Sequence, residues 1–364
     1  MLKLLGNLGQ YLKTSGVKTE STLFRIHNKL TVVLLLACSA ILTATQYVGT
    51  PIACILKNIP DNVVNTYCWI MSTFAMPDAF FREVGKEVAH PGVANDFGEV
   101  SERKYYTYYQ WVCFLLFFQA LLCWVPQWLW NFWEGGLMQM IVMGLNQSMD
   151  TKENIEKKKN SLMEYMTLYL KSHTAYVYKY FVCEFLCLVN IIGQLYLMNR
   201  FLGGEFFSYG LRVLQWTSMN QEKRVDPMIY MFPRMTKCIF HKYGSSGTIQ
   251  NHDALCLLPL NVFNEKSYIF FWFWFLLLSL MLVFLMLYRL LIIFVPTVRS
   301  RLLHAAAKKV PIEVCRSINN KVNLGDWWIL YNLAHNMDPG IYKEFLTEFT
   351  KKMSNSSGHI KMNV

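Results

Sequence analysis

The chain has 364 residues and a formal charge of +11; 54% of it is apolar and only 16% charged. Ordinary globular domains carry about a quarter charged residues, so this composition argues against a string of soluble domains. The surplus apolar surface needs its own solvent, and a bilayer is the simplest one.

Residues 1–29 form an N-terminal segment with five Lys/Arg. Leu2, Leu5, Leu8 and Leu12 recur at three-to-four spacing, a weakly amphipathic pattern that on its own suits an interfacial helix. The apolar stretches here are short, so the first span is expected to act as an uncleaved anchor. That span covers 30–48, and Ser39, Thr43 and Gln46 share one of its faces. Such a stripe either lines water or hydrogen-bonds a neighbouring helix, and the pattern permits both.

A loop at 49–107 follows, then a second span at 108–130. Tyr105, Tyr106, Tyr108, Tyr109 and Trp111 at its start read as an interfacial aromatic belt. Pro126 inside it removes a backbone donor and is expected to kink the helix. The loop 131–175 carries the run Lys157 to Lys159, which reads as a solvated or lipid-facing patch. The third span, 176–200, holds Glu184, Asn190 and Gln194. At about 100° per residue Glu184 stands about 120° away from Asn190, which favours helix packing over a transport site for the carboxylate.

The loop 201–267 precedes the fourth span, 268–294, and a tail, 295–364. Neither long loop on the side opposite the termini shows an obvious helix or strand period. In the tail, Asp338-Pro339 supplies a cap and a first-turn proline for a helix over 341–352, and Asp326 offers a start for 327–334. Several short helices there would make a helical cytoplasmic dome, with 353–364 expected to be disordered.

Four crossings put both termini and the middle loop on one side, which holds 20 Lys/Arg against 11 Asp/Glu, while the other two loops hold 12 against 12. The positive-inside bias places the termini in the cytoplasm. Cysteine placement agrees: Cys54 and Cys68 lie in the first loop, Cys238 and Cys256 in the third, and the middle loop has none. Disulfides persist outside the cell, and four cysteines allow three pairings. Pairing within loops leaves them independent; pairing between them fuses both into one unit. The two long loops contain no Asn-x-Ser/Thr acceptor. The positive charge is spread over the cytoplasmic face, so nucleic acid is not an expected partner.

Tyr108-Tyr109-Gln110-Trp111-Val112 resembles the signature of the innexin family, the subunits of invertebrate gap junctions. Two cysteines per loop, Pro126, Trp133-Glu134-Gly135-Gly136 and Gly325-Asp326-Trp327-Trp328 are similar to innexin features in innexin order, and arthropod members look most alike. The resemblance implies an all-α membrane protein: a four-transmembrane-helix bundle with a disulfide-linked extracellular domain of mixed α/β and a helical cytoplasmic dome. It implies nested disulfides, Cys54 with Cys256 and Cys68 with Cys238, and an N-terminal segment folded into the pore mouth. Leu2, Leu5, Ser39, Thr43 and Gln46 are thus the candidate pore-lining residues.

It also implies a plasma-membrane homo-oligomer, eight subunits per hemichannel docked as a pair across a gap junction, with other innexins as heteromeric partners. Lipids surround it, ions and small metabolites pass through it, and no cofactor is involved. The runner-up is an undocked, pannexin-like hemichannel releasing ATP and metabolites, but sugar-free loops favour docking. No Gly-rich phosphate loop, His-x-x-x-His pair or Gly-x-Ser-x-Gly elbow points to an enzyme. A tetraspanin-like adaptor would have a short first loop and a Cys-Cys-Gly, and neither is here.

Overall fold

A computed structural model describes residues 16–95, 103–142, 145, 151–219, 226–307 and 309–361. Leu2 and Leu5 lie outside the described residues, as do Leu8 and Leu12. Four described helices are long and apolar enough to cross a membrane. In chain order the elements are α1 (Thr22–Val48), β1 (Ala53–Ile55), α2 (Asp61–Met71), β2 (Thr73–Ala75), β3 (Lys104–Tyr106), α3 (Val112–Glu134), α4 (Leu137–Val142), α5 (Lys152–Leu168) and α6 (Thr174–Phe201). They continue with α7 (Phe206–Thr217), α8 (Pro227–Met231), β4 (Met235–Tyr243), β5 (Ile249–Leu257), α9 (Pro259–Phe294), α10 (Pro296–Ala306), α11 (Ile312–Lys321), α12 (Leu324–Asn336) and α13 (Pro339–Lys361). The spans are α1, α3, α6 and α9, and α3 runs through Pro126 without ending.

The helices reach beyond their apolar runs where polar side chains find partners. The start of α9 carries buried Asn261 and Glu265. Asn261 Nδ2 donates to the Pro233 carbonyl at 2.7 Å, and Glu265 accepts two bonds from Arg234. In α1 the turn Ile26–Leu30 is π-helical, and Asn28 Nδ2 donates to the Phe24 carbonyl at 2.9 Å.

Two compact units divide the chain: Met1–Thr31, Cys123–Val189 and Leu280–Val364 in one, Val32–Leu122 and Asn190–Ser279 in the other. The second contains a five-stranded antiparallel sheet in the order β1-β5-β4-β2-β3. The loops are therefore richer in regular structure than expected. Strands β4 and β5 form a hairpin closed by Gly244 and Gly247, the latter at φ +79°, where a side chain would be strained. The short glycine-bearing turn between two nine-residue strands is a hairpin signal readable in sequence. Helix α2 starts at Asp61 after Pro60 and turns Val64 and Cys68, one turn apart, into the core.

The other unit is helical. Asp338 caps α13 through the amides of Gly340 and Ile341, at 2.7 and 3.3 Å. Helix α13 continues to Lys361, well into the stretch expected to be disordered. Asp326 does not start α12: Asn323 occupies the cap, and the Asp326 carboxylate turns elsewhere. Lys159 is not part of a solvated patch; its side chain is 7% exposed and meets Glu348 at 2.9 Å. Burial works against that ammonium's charge, but Glu348 and Glu344 outweigh it and hold the pKa up.

Within the sheet-bearing unit, the position of a Cβ on Gly210 of α7 falls 2.2 Å from the Trp272 ring of α9. Gly210→Ala should therefore destabilise the detergent-solubilised protein by about 1–3 kcal/mol, read as a lowered Tm, whereas Ser208→Ala on the same helix should leave it nearly unchanged.

Candidate functional site

In the sheet-bearing unit Cys54 of β1 lies opposite Cys256 of β5 and is bonded to it, with their Cα atoms 4.0 Å apart. Cys68 of α2 is bonded to Cys238 of β4, Cα to Cα 5.9 Å. The first bond joins two strands edge to edge; the second fastens α2 onto the sheet face. All four cysteines, with Ile52, Val64, Ala254 and Leu258, form one buried cluster. The close sulfurs of Cys54, Cys68 and Cys256 are engaged in these bonds rather than left as metal ligands.

The pentapeptide 108–112 does something other than float in a membrane interface. Tyr109 is 1% exposed and packs with Ala75, Phe80 and Tyr106. The hydroxyls of Tyr106 and Tyr108 donate to the carbonyls of Tyr230 and Met231, both at 3.0 Å, and the Gln110 amide donates to the Trp69 carbonyl. The aromatic-belt expectation is thus corrected for Tyr106, Tyr108 and Tyr109: Tyr106 ends β3, Tyr108 and Tyr109 sit in a 3-10 turn over Tyr108–Gln110, and backbone carbonyls accept their hydroxyls. Burial pushes the Tyr106 phenol well up, so it stays a neutral donor. Tyr105 and Trp111, 50% and 61% exposed, remain outward. The Lys104 ammonium lies 4.2 Å from the Tyr230 ring centre.

The Ser39, Thr43 and Gln46 stripe divides. Buried Ser39 donates to the Cys113 carbonyl at the start of α3 at 2.8 Å, and Gln46 Nε2 to the Gln110 carbonyl in the turn before α3 at 3.4 Å. Thr43 is exposed and, among the described residues, bonds only its own helix, at the Ser39 carbonyl. Of the stripe's two readings, interhelical bonding therefore accounts for Ser39 and Gln46. In α6, Asn190 and Gln194 likewise donate to α3 carbonyls, those of Leu122 and Gln119.

The helical unit holds a second constellation. Glu184 of α6 is fully buried and accepts two hydrogen bonds from Arg289 of α9, Nε at 2.6 Å and Nη2 at 2.8 Å. Ser21, which caps α1, donates to the same carboxylate at 2.8 Å, while its backbone N–H donates to the Tyr180 hydroxyl at 2.7 Å. A bidentate pair is the arrangement that offsets burial of two charges. The carboxylate is a packing group, with no open coordination position on its Arg289 side.

A family model described as Innexin matches residues 20–353. The chain is 57% identical to Innexin inx1 of Drosophila melanogaster, covering 98% of each chain, and 58% identical to Innexin inx1 of Schistocerca americana, covering 99% of each. It is 44% identical to Innexin shaking-B of Drosophila melanogaster over 99% of this chain and 97% of that one. The chain is an innexin.

Two further motifs of this innexin have a physical account. In Gly325-Asp326-Trp327-Trp328 each residue type is demanded by a contact. A Cβ on Gly325 would sit 2.2 Å from the His173 backbone. Asp326, fully buried, accepts from the Lys171 N–H at 2.7 Å and lies 2.8 Å from His173 Nδ1. Trp327 Nε1 donates to the Arg299 carbonyl at 3.0 Å, and the Trp328 ring lies 4.8 Å from the Arg289 guanidinium. In Glu134-Gly135-Gly136, the carboxylate ends α3 and accepts from the amides of Gly136 and Met138 at the start of α4. Both glycines have positive φ, which reverses the chain there. Cys315, alone in the tail, is buried, and that burial pushes its thiol up to about 11, leaving it unreactive.

Arg289 is the residue that sequence reasoning missed. It is the one basic residue in the apolar run 268–294, as Glu184 is the one acidic residue in 176–200; an acid and a base set in apolar helices are each other's natural partners. Glu184→Leu or Arg289→Met alone should destabilise the innexin by about 3–5 kcal/mol, each leaving a buried charge unpaired, and the double variant should recover most of that. A double-mutant cycle on denaturant-induced unfolding reads the coupling.

Proposed function

We propose that this innexin is the structural subunit of a gap junction channel, assembling into hemichannels that dock between adjacent cells and pass ions and small molecules. The observation that carries the reading is the crosslink between loops. Cys54–Cys256 and Cys68–Cys238 make one rigid body of two loops that the chain separates by a span, a middle loop and a second span. A rigid, crosslinked end suits face-to-face docking because little conformational entropy is lost on contact. The absence of a glycosylation acceptor in either loop supports an unobstructed face.

Sidedness follows from the same residues. Stable disulfides favour an extracellular position for the sheet and the two loops that build it, and the Lys/Arg excess favours cytoplasmic termini with the short helices as a dome beneath the membrane. By family likeness the hemichannel has eight subunits and accepts other innexins as co-subunits. Leu2, Leu5 and Thr43 are assigned to the pore wall, Thr43 because it is the member of its stripe without an interhelical partner.

In paired cells expressing the protein, junctional conductance should appear, and Cys54→Ser or Cys256→Ser should reduce it by about ten-fold or more, the scale expected from losing a native crosslink. Surface labelling normalises for expression. Unchanged coupling in the variants contradicts the rigid-face reading, and absent coupling in the surface-expressed wild type contradicts channel function.

A further inference from the structure

Beside the Glu184–Arg289 pair, within the helical unit, lies a cavity of about 490 Å³ walled by the segment entering α1, the inner part of α9, and α12. Its polar lining is one-sided. Among the described residues, the indole N–H of Trp328 and Nδ2 of Asn332 have no acceptor, and neither has Nε of Arg25. Trp328 is 3% exposed and Asn332 8%, so these donors are largely removed from bulk water as well. Lys18, exposed at the rim, adds a second cation.

The nearby acids are already engaged. Glu184 is held by Arg289, and Glu20 pairs with Lys29 at 3.4 Å and accepts from the Gln127 amide. His335 is turned toward its own helix, its Nδ1 lying 2.9 Å from the Tyr331 carbonyl. Leu285 and Tyr288 of α9 complete the wall with apolar surface.

Buried donors that lack acceptors are uncommon and ask for a partner. Here the donors come from two directions, the α1 segment and α12, with cations among them and, among the described residues, no free carboxylate along the wall. We propose that the cavity is a binding site for a phosphate-bearing anion, with Arg25, Trp328 and Asn332 as its donors and Lys18 at the rim. A tetrahedral phosphate presents acceptors on every side, which a planar carboxylate does not, and guanidinium matches it well. The volume falls in the range of small-molecule sites.

The anion would bridge residues 18–25 to α12 next to an existing clamp. Asn336 accepts from the Lys18 N–H at 2.6 Å and donates to the Lys18 carbonyl at 2.7 Å. Occupancy would stiffen the point from which the N-terminal segment departs. Two sources share this chemistry, a phospholipid headgroup and a free phosphate ester.

The test is binding to the purified full-length protein, which does not depend on channel activity and so fails separately from the functional reading. Probes are a short-chain phosphatidylinositol bisphosphate, inositol trisphosphate and inorganic phosphate, with short-chain phosphatidylcholine as the low-charge control. Native mass spectrometry or ligand-induced Tm shift gives affinity. Wild type should bind the phosphate probes, and Arg25→Gln and the isosteric Asn332→Asp should each weaken binding about ten-fold, one lost charge-assisted bond apiece. Capture of the lipid probe alone assigns the site to a headgroup, and capture of inositol trisphosphate as well assigns it to a free ester. Equal affinity in wild type and both variants, or no binding by any phosphate probe, overturns the proposal.

Discussion

One covalent constraint organises the sheet-bearing unit. Cys54 sits just after α1 and Cys256 just before α9, so their bond ties the first span's end to the last span's beginning across 202 residues of chain. In the chain-entropy limit, closing so long a loop removes on the order of 5 kcal/mol of freedom from the unfolded ensemble. Strand β1 is three residues long, and at the sheet edge the bond adds to its backbone pairing with β5. The second bond holds α2 onto the sheet, so that Val64 and Cys68 join the buried cluster there. Between them, a small sheet acquires the rigidity of a larger core, which a surface that must match a partner requires.

The helical unit relies on polar groups placed where water cannot compete. Glu184 and Arg289 link α6 to α9, and Ser21 brings the start of α1 onto the same carboxylate. Asp326 does similar work for the turn before α6, through Lys171 and His173. Each of these groups is individually expensive to bury and is stable only with its partner. The motifs around them are short and specific for that reason: the glycine at 325, for example, has no room for a single added carbon.

What was legible in the sequence follows from how local each signal is. The four spans were readable because a run of about 20 apolar residues is rare outside a membrane-crossing helix. Asp338-Pro339 was readable as a helix start because capping involves only the next three residues. Asp326 was misread by the same rule, since its partners lie some 150 positions away, at Lys171 and His173. Tyr106, Tyr108 and Tyr109 have the composition of an interfacial belt, and only their long-range carbonyl partners, at 230, 231 and 68 in turn, distinguish a packed core from one. The two uses of the Ser39 stripe were likewise inseparable without knowing that Cys113 faces it. Family likeness supplied the functional reading, which no single residue pattern carries.

The central claim is that the two crosslinked loops form the docking face of a channel. Electron microscopy of the purified protein before and after reduction addresses it directly. The account predicts annular assemblies joined in face-to-face pairs through the sheet-bearing unit, and separation into single assemblies once all four cysteines of that unit are reduced. Pairs that persist after complete reduction, or that join through the helical unit, would contradict it.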